Sequence, residues 1–240
     1  MSRRPAVLLD LDDTILDFHK AEAAALSQTL RELGLEPREE ILRRYSAINR
    51  RQWELLEEGK QTREETLTRR FELLFAEYGI TASGAEARDR YEEHLSVGHF
   101  FMPGAEELLE ALYGRYELYI VSNGTPKVQA GRVASAGIAR YFERIFVSEE
   151  LGAVKPSAEF FERSVGRIPG FDRERALLVG DSLSSDIRGA RNAGIRSCWY
   201  NPRGEAPRAE IPADFEIRAL AELPPLLERL FPEGQASRNF

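Results

Sequence analysis

Apolar residues fall along this chain in two rhythms. At the start, Ala6, Val7, Leu8 and Leu9 run together, Asp10 interrupts, and Leu11 follows before Asp12, Asp13 and Thr14. A short unbroken apolar run predicts a strand buried on both faces, as in a parallel sheet. From residue 17 to 99 the spacing becomes helical. Leu26, Leu30 and Leu33 make a stripe that stops at Gly34. Ile41, Tyr45, Ile48 and Trp53 make another, ending near Gly59. Leu67, Phe71, Leu74, Phe75 and Tyr78 make a third that stops at Gly79, and Tyr91 and Leu95 mark a weaker fourth. Thr62-Arg-Glu-Glu65 has the form of a capping box, and Pro37 suits a first helical turn. The stretch reads as a bundle of about four helices inserted after the first strand.

After Met102-Pro103-Gly104 the rhythm alternates. Helices are predicted over 105–112, 127–136, 158–165 and 186–193, with strands over 118–121, 145–147, 176–179 and 197–200. A last strand over 214–217 and a terminal helix over 220–230 follow, and residues 232–240 read as a frayed end. Alternating elements of this kind predict an α/β fold, a Rossmann-like parallel sheet with helices on both faces. The expected division is an α/β core domain from 1–16 and 100–240, and an all-helical domain from 17–99.

Composition narrows the function classes. The chain has 240 residues, 42% of them apolar and 30% charged, which suits a soluble domain with a substantial core. Its net charge is −7, which argues against nucleic acid or an anionic membrane as partner. The single cysteine, Cys198, excludes an internal disulfide and a cysteine-built zinc site, and its apolar surroundings read as a core thiol. Arg3 and Arg4 precede an apolar run that Asp10 breaks, too short for a signal segment or a membrane span. A cytoplasmic enzyme, monomer or homodimer, is the expectation.

The carboxylates change the picture. A buried strand that runs into Asp10, Asp12 and Asp13 needs positive charge nearby, most simply a divalent cation. The predicted strands end in Ser122-Asn123-Gly124, Ser148, Gly180-Asp181-Ser182 and Asn201. The carboxyl ends of parallel strands share one sheet edge. Asp10, Asp12, Ser122, Lys155, Asp181 and Asp186 can therefore converge although most of the chain separates them. Each alone has an ordinary reading: a solvated turn, a surface Lys-Pro loop, a helix cap. A calcium loop starting at Asp10 fails, because Ile15 and Ala21 stand where glycine and glutamate are required.

In order and in context, these residues resemble the four motifs of the haloacid dehalogenase-like (HAD) phosphohydrolases. They are Asp10-Leu11-Asp12-Asp13-Thr14, a strand ending in Ser122, Lys155-Pro156, and Gly180-Asp181 through Asp186. The resemblance covers about residues 5–205 and makes the helical insertion a C1-type cap. It implies that Asp10 is a nucleophile forming an aspartyl-phosphate and that Asp12 is the general acid and then base. It further implies Mg²⁺ held by Asp10, the Asp12 carbonyl and Asp181, with Asp186 just outside, holding a water ligand or Lys155. Ser122 and the Asn123 N–H would bind phosphate, Lys155 would offset its charge, and Thr14 would brace the loop by hydrogen bonding. A receiver-type regulatory domain is about half this length and has no helical insertion. The 2-haloacid dehalogenases lack an Asp at the position of Asp12.

Within the family, Tyr45 through Trp53, Glu57-Glu-Gly59, Arg69-Arg-Phe71, Phe18 and Cys198 through Asn201 resemble the pyrimidine 5′-nucleotidases. The implied substrate is a small phosphorylated molecule, a nucleoside monophosphate. Phe18 and Trp53 offer a flat platform and Asn49 a hydrogen-bonding group for its base. The alternatives are a sugar-phosphate or phosphoglycolate phosphatase, a phosphomutase, and a non-catalytic interaction module. The last would be expected to have lost Asp10 or Asp12.

Overall fold

In the computed structural model, which describes residues 3–232, the elements follow one another in this order. They are β1 (Ala6–Leu9), α1 (Phe18–Glu32), α2 (Glu39–Glu57), α3 (Arg63–Tyr78), α4 (Gly84–Val97) and α5 (Ala105–Leu112). Next come β2 (Glu117–Ser122), α6 (Pro126–Ser135), β3 (Phe142–Val147), α7 (Ser148–Leu151) and α8 (Ala158–Val165). The last are β4 (Ala176–Gly180), α9 (Arg188–Asn192), β5 (Arg196–Tyr200), β6 (Phe215–Ile217) and α10 (Leu223–Leu230). The chain divides into two compact units: one takes the chain up to Asp17, Phe101–Pro126 and Gly137 onward, the other Phe18–Phe100 and Lys127–Ala136.

The first unit is built on a six-stranded sheet in the order β3-β2-β1-β4-β5-β6, every pair parallel. β1, β2 and β4 are buried along their whole length. That explains their largely apolar sequences, since helices cover both faces of such a sheet. One face packs Leu8, Val121, Phe146 and Leu178 against Phe160 and Phe161 of α8. Val7 and Leu9 point to the other face and are equally buried. β1 lies between β2 and β4, so the strand order reverses beside it. A crevice at the carboxyl edge of an open α/β sheet is expected at that switch point. The Asp10 N–H extends the β1–β4 ladder by donating to the Val179 carbonyl at 2.9 Å.

The second unit is helical, formed by α1–α4 with α6. Its core gathers Leu26, Leu30, Ile41, Tyr45, Ile48, Phe71, Leu74, Phe75, Tyr91 and Leu95, which are the stripes of the sequence pattern. The rings of Tyr45, Phe71 and Tyr91 meet pairwise at 5.0–5.5 Å. Thr62 and Glu65 form the expected capping box at the start of α3, and Gly79 closes that helix in the left-handed conformation.

Three local expectations need correction. Residues 127–136, read as part of the α/β domain, join the helical unit. Val128 is buried in its core, and the Arg132 guanidinium donates to the Gly98 carbonyl at 3.1 Å. Pro37 lies before α2, whose flanking residue is Arg38. The helix expected over 186–193 starts as a single wide π turn over Leu183–Ile187, with the Ile187 N–H on the Ser182 carbonyl, before α9 takes over. The frayed end expected over 232–240 lies almost wholly outside the described residues. Among the described residues, no helix is long and apolar enough to cross a membrane.

Candidate active site

The site grows from the carboxyl ends of β1, β2 and β4. β1 delivers Asp10, 6% exposed, to the sheet edge. The chain then turns tightly, with the Ile15 and Leu16 N–H groups both donating to the Leu11 carbonyl and Asp13 at φ 56°. Aspartate is among the few residues that tolerate this left-handed conformation. The turn keeps Asp12 half-buried, two residues from Asp10. Thr14 is fully buried, but its hydroxyl has no hydrogen-bond partner among the described residues, so it does not brace the loop in the way expected.

Lys155 is the cation that β1 requires. Its side chain is almost wholly buried, and its ammonium donates to Asp10 Oδ1 at 2.6 Å, Asp186 Oδ1 at 2.7 Å and the Val121 carbonyl at 2.9 Å. An ammonium has three donors, and all three are used. Burial works against its charge, but Asp10 and Asp186 outweigh burial and hold its pKa above the usual lysine value. The Lys155–Pro156 peptide is cis.

β2 ends in Ser122, buried, whose hydroxyl accepts from the Gly124 N–H at 3.0 Å. Asn123 follows, and its carboxamide meets the main chain of Lys155 twice. β4 ends in Gly180 and Asp181. The Ser182 N–H donates to Asp186 Oδ2 at 3.1 Å, and the Ser182 hydroxyl accepts from the Ser185 N–H at 3.2 Å.

Carboxylate oxygens of Asp10, Asp181 and Asp186 lie within 4.8 Å of one another. Burial pushes Asp10 well above the usual carboxylate range, with Asp186 and Asp12 adding to the effect and Lys155 opposing it. Burial does the same to Asp181, joined by Asp10, Asp186 and Asp13. One lysine therefore does not neutralise this cluster. An all-oxygen donor set with surplus negative charge fits a hard divalent cation such as Mg²⁺.

Of the expected site residues, Asp10, Asp12, Ser122, Asn123 and Asp181 thus stand at or just past the ends of β1, β2 and β4, Asp186 lies in the π turn after β4, and Lys155 comes from the loop between α7 and α8. Phe18, Asn49 and Trp53 belong to the helical unit. There the Asn49 carboxamide donates to Glu22 at 2.7 Å and accepts from Arg70 at 2.9 Å. Phe18 is half-buried below the Arg132 guanidinium, 5.7 Å from the ring centre, and Trp53 is half-buried with Arg63 at 5.6 Å. The sequence reading missed Trp199, whose indole N–H donates to the Asp181 carbonyl at 2.8 Å. A tryptophan at a strand's carboxyl end, with a polar handle to satisfy, was the available signal. Cys198 beside it is fully buried, and burial pushes its thiol up to about 12, which fits a core thiol.

The sequence model described as haloacid dehalogenase-like hydrolase matches residues 5–194. The chain belongs to the haloacid dehalogenase-like hydrolases. It is 41% identical to the HAD-hydrolase YfnB of Bacillus subtilis over 93% of this chain and 95% of that protein. The crystal structure of YfnB bound to magnesium superposes with a TM-score of 0.89, covering 94% of this chain and 99% of the other. Pyrimidine 5′-nucleotidase PynA of Streptococcus pneumoniae is 37% identical over 93% of this chain and 94% of its own length. Pyrimidine 5′-nucleotidase YjjG of Escherichia coli is 28% identical over 92% and 96%. A 5′-nucleotidase is a phosphoric monoester hydrolase.

Proposed function

We propose that this HAD hydrolase is a Mg²⁺-dependent phosphoric monoester hydrolase that works through an aspartyl-phosphate on pyrimidine nucleoside monophosphates. The observation that carries the chemistry is the buried Asp10 carboxylate held at 2.6 Å from Lys155. A buried carboxylate attacks phosphorus only while ionised, and an adjacent ammonium favours that form. Magnesium at Asp10, Asp181 and the Asp12 carbonyl would supply further positive charge to the phosphoryl oxygens. That the YfnB structure is of the magnesium-bound protein supports this choice of ion.

In the first half-reaction an Asp10 oxygen forms a bond to phosphorus, the ester P–O bond breaks, and Asp12 gives its proton to the leaving oxygen. In the second, Asp12 takes a proton from water, the water oxygen bonds to phosphorus, and the bond to Asp10 breaks. The Ser122 hydroxyl and the Asn123 N–H donate to phosphate oxygens, and Lys155 offsets their charge. Asp186 holds Lys155.

The nucleotide reading rests on the two pyrimidine 5′-nucleotidases that match nearly the whole chain. It is tested by measuring phosphate release from nucleoside monophosphates and sugar phosphates, with and without Mg²⁺. The expected result is Mg²⁺-dependent release, fastest from UMP, dUMP or dTMP. Release from sugar phosphates alone would overturn the nucleotide reading, and no release from any monoester would overturn the enzyme reading.

A further inference from the structure

The residues 152–157 that carry Lys155 belong to neither strand nor helix, since α7 ends at Leu151 and α8 begins at Ala158. Its position therefore has to be set by other contacts. One side chain supplies two of them. The Lys155 N–H donates to Asn123 Oδ1 at 2.8 Å, and Asn123 Nδ2 donates to the Lys155 carbonyl at 3.0 Å. A carboxamide carries an acceptor and a donor side by side, as a peptide group does. It can therefore pair with both main-chain groups of one residue as a neighbouring strand would.

We propose that Asn123 is a positioning residue for Lys155, its carboxamide fixing the lysine main chain so that the ammonium reaches Asp10 and Asp186. The lysine is then pinned by the end of β2 at two points. Asn123 holds its main chain, and the Val121 carbonyl accepts from its Nζ at 2.9 Å. Asn123 is itself braced. The Ser148 hydroxyl donates to its carbonyl at 3.2 Å, and its Nδ2 also approaches Ser185 Oγ, next to Asp186, at 3.4 Å. One side chain thus links the ends of β2 and β4 to the lysine loop. This role is separate from any use of the Asn123 main-chain N–H by phosphate, because a substitution removes the carboxamide and leaves the N–H.

The proposal rests on Lys155 serving Asp10 as in the proposed function, and its test separates the two. The chain has four lysines: Lys20, Lys60, Lys127 and Lys155. Labelling of each amine by cyanate, read by peptide mass mapping, needs no substrate. In the wild type Lys155 should label far more slowly than the other three. In Asn123→Ala it should label at least about ten times faster than in the wild type, with kcat reduced by about 10²-fold, KM changed far less and the thermal midpoint within a few degrees. Asn123→Asp keeps the acceptor for the Lys155 N–H but not the donor for its carbonyl, so both readouts should fall between. If Asn123→Ala unfolds the chain, this second variant decides. Lys155 as protected in the variant as in the wild type, or exposed with an unchanged kcat, would overturn the proposal. Correct labelling behaviour with no phosphate released from any substrate would leave the clamp standing and overturn the proposed function instead.

Discussion

A Cβ placed on Gly180 would lie 2.2 Å from Asp186 Oδ2. Real side-chain atoms do not approach so closely, so glycine at the end of β4 is what lets the Asp186 carboxylate reach Lys155. Gly180→Ala should push Asp186 away, cost about 1–3 kcal/mol of stability as overpacking does, and lower kcat. Thermal melts and steady-state kinetics on the purified variant check this. A wild-type kcat would mean that the Asp186–Lys155 contact has no part in turnover.

Lys155→Met removes the group that opposes the raised pKa of Asp10. The folded-state pKa of Asp10 then lies further above its unfolded value. Stability from such a group is complete below the unfolded pKa and is lost as pH rises through the folded one. The variant should therefore lose most stability at high pH, on the order of 3–5 kcal/mol for a broken buried ion pair. Melts from about pH 5 to about pH 8 test the slope, the gap to the wild type widening with pH. A gap independent of pH would contradict this account of the buried charges.

Trp199→Phe keeps an aromatic ring, a smaller one, and deletes the N–H that holds the Asp181 carbonyl. Such outlying hydrogen bonds to metal-binding residues contribute about 10–100-fold to metal affinity or activity. The Mg²⁺ concentration giving half-maximal activity, and that giving half the Mg²⁺-induced rise in thermal midpoint, should both increase. An unchanged Mg²⁺ titration would show that Asp181 needs no such support.

Glu22 is buried in the helical unit, and burial raises its pKa, against the pull of Ser46, Asn49, His19 and Arg70. The same sign applies: its contribution is most favourable at low pH and declines as the carboxyl ionises in the folded state. Glu22→Gln should therefore raise the thermal midpoint at neutral pH, and the difference should shrink toward acid. A variant less stable than the wild type at neutral pH would mean that the charged form, facing Asn49 and Arg70, is the one the fold prefers.

These predictions join residues whose relationships were legible in the sequence to different degrees. α8 spans the residues predicted for it, 158–165; Ser157 caps it and its buried residues face one way. β3 was read short: Phe142–Arg144 lies on an edge strand, where the exposed Glu143 and Arg144 weaken the apolar signal. Asp10 and Asp181 were found because strand ends of one parallel sheet must share an edge, and Lys155 because Lys155-Pro156 resembles the third HAD motif. The Asn123 clamp, the Trp199 hydrogen bond and the unpartnered Thr14 hydroxyl were not, because they depend on side-chain directions that spacing does not encode. α6 shows the same gap at a larger scale. Its amphipathic face says that it packs, but not that Val128 packs with helices rather than with the sheet.

The central claim is that Asp10 itself accepts the phosphoryl group. Acid quenching of the enzyme during turnover of UMP with Mg²⁺, followed by peptide mass mapping, tests it most directly. The account predicts one phosphoryl group on the peptide that contains Asp10, absent without substrate and absent from a folded, inactive Asp10→Asn variant. A phosphoryl group trapped on another residue, or an Asp10→Asn variant that keeps near-normal turnover, would contradict it.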